Sequence, residues 1–120
     1  MGIFNSIKDH FNKAEFTIAP NKKLKTISRD FKNSFGLSLV FYKGNMIADG
    51  ELTLAGLNRK TSSDIQVKSD DEIKIRASMK VKDVEKAFED VYGVKVQVKD
   101  KDAKSLVNND FTLGYAVRNI

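Results

Sequence analysis

Along this chain the spacing of apolar positions changes period in the same order twice. "FTI" at residues 16–18 and "IKI" at residues 73–75 alternate with period two, as half-buried strands do. Leu24, Ile27, Phe31 and Phe35 then recur at intervals of three and four, which predicts an amphipathic helix of about three turns. Val81, Val84, Phe88 and Tyr92 repeat that stripe. Gly36 and Gly93 follow the last helical aromatic, where a left-handed residue closes a helix and the lack of a Cβ removes its cost. Alternation resumes at once, through Leu37, Leu39 and Phe41 in one copy and Val94, Val96 and Val98 in the other.

Residues 15–43 and 72–100 therefore align without a gap, offset by 57. Glu15/Glu72, Ile18/Ile75, Lys23/Lys80, Lys25/Lys82, Phe31/Phe88 and Gly36/Gly93 are identical pairs, and the apolar skeleton matches better still. The segments that follow, "ADGELTLAGL" and "NNDFTLGYAV", correspond at an offset of 59. Gly44-Asn45 and Asp49-Gly50 are two-residue hairpin signals, so residues 46–48 are expected to return along the preceding strand. Residues 64–68 and 72–77, with "SDD" between them, read as a second hairpin. Pro20, the only proline, stands just before the first helix, where a missing N–H costs least.

Each copy, 15–56 and 72–117, is thus predicted to be strand–helix–strand. The most economical assembly is an α+β domain over residues 14–120: one mixed sheet with both helices on one face, a ferredoxin-like arrangement about a pseudo-two-fold axis. A repeat of this size cannot bury its own apolar face, but two copies facing each other can.

At "FGLSLVFYKGNMIADGELTLAGL" the chain resembles a set of uncharacterised bacterial tandem-repeat proteins, which carry an FG-plus-strand phrase, a "VYxG"-like turn and a "D..TLA" close, then a degenerate second copy. The resemblance covers most of the chain from about residue 15. Its motifs are structural punctuation, and it implies no activity, cofactor or substrate. More locally, "YKGNMIADGELTL" looks like the strand–turn passage of ubiquitin-like β-grasp domains, so a β-grasp-like fold is the alternative. Those domains place a hairpin before the helix. Only the second copy has a candidate for one. The closing "AVRNI" has no Gly-Gly for conjugation.

Composition narrows the function. The 120 residues include no cysteine and one histidine, His10, which removes thiolate chemistry, Cys-ligated metals and most nucleophile–base pairs. "DKD" at 100–102 begins like a calcium loop, but Lys104 occupies the place of a third ligand. "SDDE" at 69–72 reads as a solvated turn. No phosphate-cradling glycine loop, nucleophile elbow or dinucleotide fingerprint occurs. The expectation is a protein without enzymatic activity, cofactor, metal or small-molecule substrate. No apolar run reaches the roughly 18 residues that span a bilayer, and the first residues lack a secretory pattern, so a cytoplasmic location is expected.

The net charge of +5 is unevenly spread. Residues 1–60 hold ten Lys and Arg against five Asp and Glu, leaving eleven of each in residues 61–120. Part of the excess forms a ridge: Lys22, Lys25, Arg29 and Lys32 fall within about 80° of arc on the first helix. A row of cations can contact phosphates, so nucleic-acid binding is one alternative function. No exposed aromatic platform accompanies the ridge, which favours an ordinary solvated face.

Two apolar features remain unexplained. Residues 1–13 form a predicted amphipathic helix with Ile3, Phe4, Ile7 and Phe11 on one side, suited to the domain, a partner or a membrane surface. Gly2 and Ser6 also fit the short N-myristoylation pattern. The strand over residues 37–43 turns Ser38, Val40 and Tyr42 outward, where the second copy has Lys95, Gln97 and Lys99. An apolar pair at Val40 and Tyr42 calls for a cover, and the N-terminal helix is expected to pack over it, within one chain or across a dimer. The leading expectation is a protein-interaction module binding a protein partner or a second copy of itself. Peripheral membrane association is the other alternative.

Overall fold

The computed structural model describes residues 15–61 and 63–119. The predicted strand–helix–strand order appears in both copies. β1 (Glu15–Ile18), α1 (Leu24–Phe35), β2 (Ser38–Lys43), β3 (Met46–Ile47) and α2 (Leu54–Arg59) make the first. β4 (Ile73–Arg76), α3 (Val81–Tyr92), β5 (Lys95–Lys99) and α4 (Leu113–Arg118) make the second. Both helical stripes are buried throughout, and both helices end on a left-handed glycine, Gly36 at φ 70° and Gly93 at φ 62°. The Gly36 N–H donates to the Lys32 carbonyl at 2.8 Å and the Gly93 N–H to that of Glu89 at 3.0 Å.

The "TL" phrases prove to be helix starts. Thr53 and Thr112 cap α2 and α4, their hydroxyls accepting from Gly56 N–H at 3.0 Å and Tyr115 N–H at 3.1 Å. The long helices have lysine at the corresponding position, with no side-chain cap. Backbone fills the gap. Leu24 and Lys25 N–H donate to the Leu52 and Gly50 carbonyls, and Val81 and Lys82 N–H to those of Phe111 and Asn109. In return, Leu54 donates to Lys22 and Leu113 to Met79. Each copy thus clasps the starts of its long and short helix together, satisfying amides that a helix N-terminus would leave unpaired.

The strands form two antiparallel sheets, β1–β4 and β3–β2–β5, where one mixed sheet was expected. β1 and β2 each pair with their own equivalents in the other copy, β4 and β5. Thr17 lies opposite Lys74 and Val40 opposite Gln97, and both pairs differ by 57. The pairing scheme is therefore unchanged when the copies are exchanged. Alternation in a strand dictates which face is buried, and a lone strand carries nothing comparable about its neighbour. Pairing equivalents matches strand lengths without a register mismatch.

The turn at Gly44 (φ 61°) returns the chain as expected, with Tyr42 opposite Ile47. The second copy builds a longer version. Lys99 bridges Leu106, the Val107 N–H reaches the Val98 carbonyl at 3.3 Å, and Ala103 takes the left-handed turn position at φ 58°. Two extra residues in this loop move the offset from 57 to 59. The second expected hairpin does not form: residues 64–68 lie outside any strand and β4 pairs with β1. The β-grasp-like alternative thereby loses the hairpin it requires.

Phe16, Ile18, Ile73 and Ile75 from one sheet and Leu39, Phe41, Val96 and Val98 from the other share a single core with the helical stripes. The short helices cross between copies. The Asn58 amide on α2 donates to the Tyr92 carbonyl at the end of α3 at 2.7 Å, and Val117 on α4 packs on Gly36 at the end of α1.

Candidate interaction surface

The four cations expected as a ridge, Lys22, Lys25, Arg29 and Lys32, are all exposed, and two of them are already engaged. Lys25 Nζ donates to Glu51 Oε1, Lys23 Nζ to Glu51 Oε2 at 2.9 Å, and Arg29 Nε to Asp30 Oδ1 at 3.3 Å. Hydrogen bonds and charge from Lys25, then Lys23, hold the Glu51 carboxyl down at about 2. Lys82 and Asp110, 3.1 Å apart, occupy the equivalent positions in the second copy. The Lys25 contact is thus part of the clasp between long and short helices, present in both copies. Lys22 and Lys32 have no ion-pair partner among the described residues.

Val40 and Tyr42 stand where alternation places them, on the face of β3–β2–β5 turned away from the core. Ser38, Val40, Tyr42, Lys95, Gln97 and Lys99 share this face and none is buried. Directly paired residues of an antiparallel sheet point the same way, so the register arranges the surface in three rows. Ile47, Tyr42 and Lys95 make the first, Val40 and Gln97 the middle, and Ser38, Lys99 and Leu106 the third. Ile47 and Leu106 are equivalent positions of the two hairpins, and both are open to solvent, at 70% and 63%. Met46 beside Ile47 is 75% exposed.

The Tyr42 ring holds Lys95 Nζ at 5.7 Å and Lys99 Nζ at 5.8 Å from its centre. Each ammonium is attracted by the negative face of the ring. Neither has a carboxylate partner among the described residues. The surface is therefore apolar at two opposite corners and cationic between them.

A shallow groove of about 790 Å³ continues from Tyr42 and Lys95 toward Ser63, Ile65, Glu89 and Asp90. Two of its polar groups serve the fold: Ser63 Oγ accepts from the Ile65 N–H at 3.1 Å, and Asp90 accepts from Lys86 at 2.9 Å. The acidic turns behave likewise. Asp71 accepts from the Lys68 N–H and Asp100 from the Lys104 N–H.

Sequence reasoning found Val40 and Tyr42 and missed Ile47, Leu106, Lys95 and Lys99 as parts of one surface. The Gly44-Asn45 turn was the signal for Ile47, since it puts that residue beside Tyr42. Leu106 follows from Ile47 by the offset of 59. Ile3, Phe4, Ile7 and Phe11, expected to cover this face, lie outside the described residues, as does His10. Among the described residues no helix is long and apolar enough to cross a membrane. Comparison with protein-family models, curated proteins and solved structures finds no match to the chain.

Proposed function

We propose that this chain is a non-enzymatic interaction module that binds a protein, or a second copy of itself, through the outer face of β3–β2–β5. One observation carries the reading: Ile47 and Leu106, from different copies and both largely exposed, border the same face as Val40 and Tyr42. Aliphatic side chains gathered on one surface with an aromatic centre gain by excluding water against a partner. We read the duplication itself as architectural, a half-domain closing on its own copy. The ridge supports nucleic-acid binding less well, because Lys25 and Arg29 already face carboxylates.

Site-specific photocrosslinking in the native cell tests this. A benzophenone side chain at Ile47 should yield a discrete protein adduct that Leu106→Asp abolishes. The same probe at Lys74, on the other sheet, should give none. Equal adducts from both positions, or no adduct from Ile47, would overturn the reading.

A further inference from the structure

The chemistry of the surface points to one kind of occupant. We propose that the outer face of β3–β2–β5 docks an acidic amphipathic segment of a partner protein, with carboxylates seated between Lys95 and Lys99 and apolar side chains on Ile47, Val40 and Leu106. This rests on the functional reading above and deepens it.

Charge decides among occupants. Lys95 and Lys99 stand over one ring and neither has an ion-pair partner among the described residues, so bringing a further cation here is unfavourable and bringing a carboxylate is favourable. Residues 1–13 have the required apolar spacing, but Lys8 and Lys13 outnumber Asp9. A second copy of a chain with net charge +5, turned face to face, would set the same lysines against each other. An acidic partner alone satisfies both the corners and the centre.

Geometry sets the length. Ile47 and Leu106 are three strand spacings and four residues apart on the sheet, a diagonal of ~20 Å. A helix of about 13 residues covers that distance, and an extended strand of about six does so too. Apolar anchors at the two ends with acids between them would meet the surface in register.

Fluorescence anisotropy on the full chain provides the test. The probe is a labelled amphipathic peptide of about 14 residues, leucines on one face and glutamates along its flanks. A matched peptide with lysine in place of glutamate is the control. The glutamate peptide should bind, weaken with added salt, and lose at least tenfold on Lys95→Glu with Lys99→Glu. That variant should gain affinity for the lysine peptide, a result that loss of folding cannot imitate. Ile47→Ser with Leu106→Ser should weaken the glutamate peptide while leaving the preference for its charge. Equal binding of both peptides overturns the proposal, as does binding that ignores the charge reversal. Sedimentation with phosphatidylserine vesicles, with the glutamate peptide unbound, overturns it in favour of a lipid surface. If the Ile47 crosslink forms while the glutamate peptide fails to bind, only this inference falls. If the crosslink is absent, the reading beneath it falls as well.

Discussion

Val40 on β2 lies directly opposite Gln97 on β5, and the two occupy the same position of the internal repeat. They are the centre of the sheet, where a copy meets its own equivalent. One member is apolar and the other polar, so the duplicated scaffold is symmetric in its pairing and asymmetric in what it shows to solvent.

Val40→Gln makes that central pair identical. Val40 is half-buried on the outer face, so the unfolding free energy should change by less than about 0.5 kcal/mol. Crosslinking from Ile47 should fall sharply. Thermal denaturation beside the crosslink yield separates the two effects.

Four described residues, Gly36, Gly44, Gly93 and Ala103, share the left-handed conformation and differ in surroundings. A Cβ at Gly36 would sit 2.7 Å from Val117 Cγ2, whereas one at Gly44 meets nothing within 4 Å. Gly44→Ala should cost about 1–2 kcal/mol, the conformational penalty alone. Gly36→Ala should cost more, and Val117→Ala beside it should recover part of the excess. Ala103 already carries this strain at φ 58°. Ala103→Gly is expected to stabilise the protein by up to about 1 kcal/mol in urea titration.

Tyr92 is fully buried and its hydroxyl lies 2.9 Å from the carbonyl oxygens of both Ile18 and Asp71, which share its one proton. The phenol ties the end of α3 to the end of β1 and to the turn before β4. Tyr92→Phe should cost about 1–2 kcal/mol, because the buried Ile18 carbonyl loses its partner. Burial, with Asp71 nearby, pushes the Tyr92 phenol up to about 12. Its folded value lies above the ordinary one near 10, so the stability it contributes is complete below pH 10 and declines as pH rises toward 12. The variant should lack that alkaline decline.

At the acid end Glu51 behaves in the opposite sense. Its pKa is depressed to about 2 from 4.5, so the stability from its pairing with Lys25 and Lys23 is present above pH 4.5 and is lost as pH falls toward 2. Glu51→Gln should flatten this acid limb, and added salt should flatten it in the wild type, since the group is exposed. Equilibrium unfolding at a series of pH values tests both.

Glu85 is a third case. Desolvation raises its pKa although its Oε2 accepts from the Val98 N–H at 3.0 Å. A raised carboxyl favours the folded state while protonated, and that advantage fades as pH climbs through the folded value. Glutamine keeps the acceptor and cannot ionise. Glu85→Gln should remove the loss of stability seen on passing upward from about pH 4.5. Ser28, the equivalent residue of α1, makes the same link in reverse, its hydroxyl donating to the Leu39 carbonyl at 2.7 Å. Each long helix thus secures the outer edge of its own following strand.

Much of this was legible along the chain because it is local. Apolar spacing at three and four marks α1 and α3 without reference to any other segment, since an isolated helix already has a face. The glycines that close them announce themselves by position. The short helices α2 and α4 escaped because six residues carry too few turns for a stripe. Their threonine caps were visible only as a recurring "TL". Residues 64–68 alternate like a strand, yet β1 takes the partner they would have needed.

From residue order alone came the duplicated strand–helix–strand unit, the buried side of each element, and the outward position of Val40 and Tyr42. Tertiary structure alone decided that equivalents pair into two sheets, that the short helices cross between copies, and that Ile47, Leu106, Lys95 and Lys99 join one surface. The division has a physical cause. Periodicity is a property of a segment meeting an interface between oil and water, whereas neighbours are chosen by the competition of all segments for the same interior and the same backbone partners.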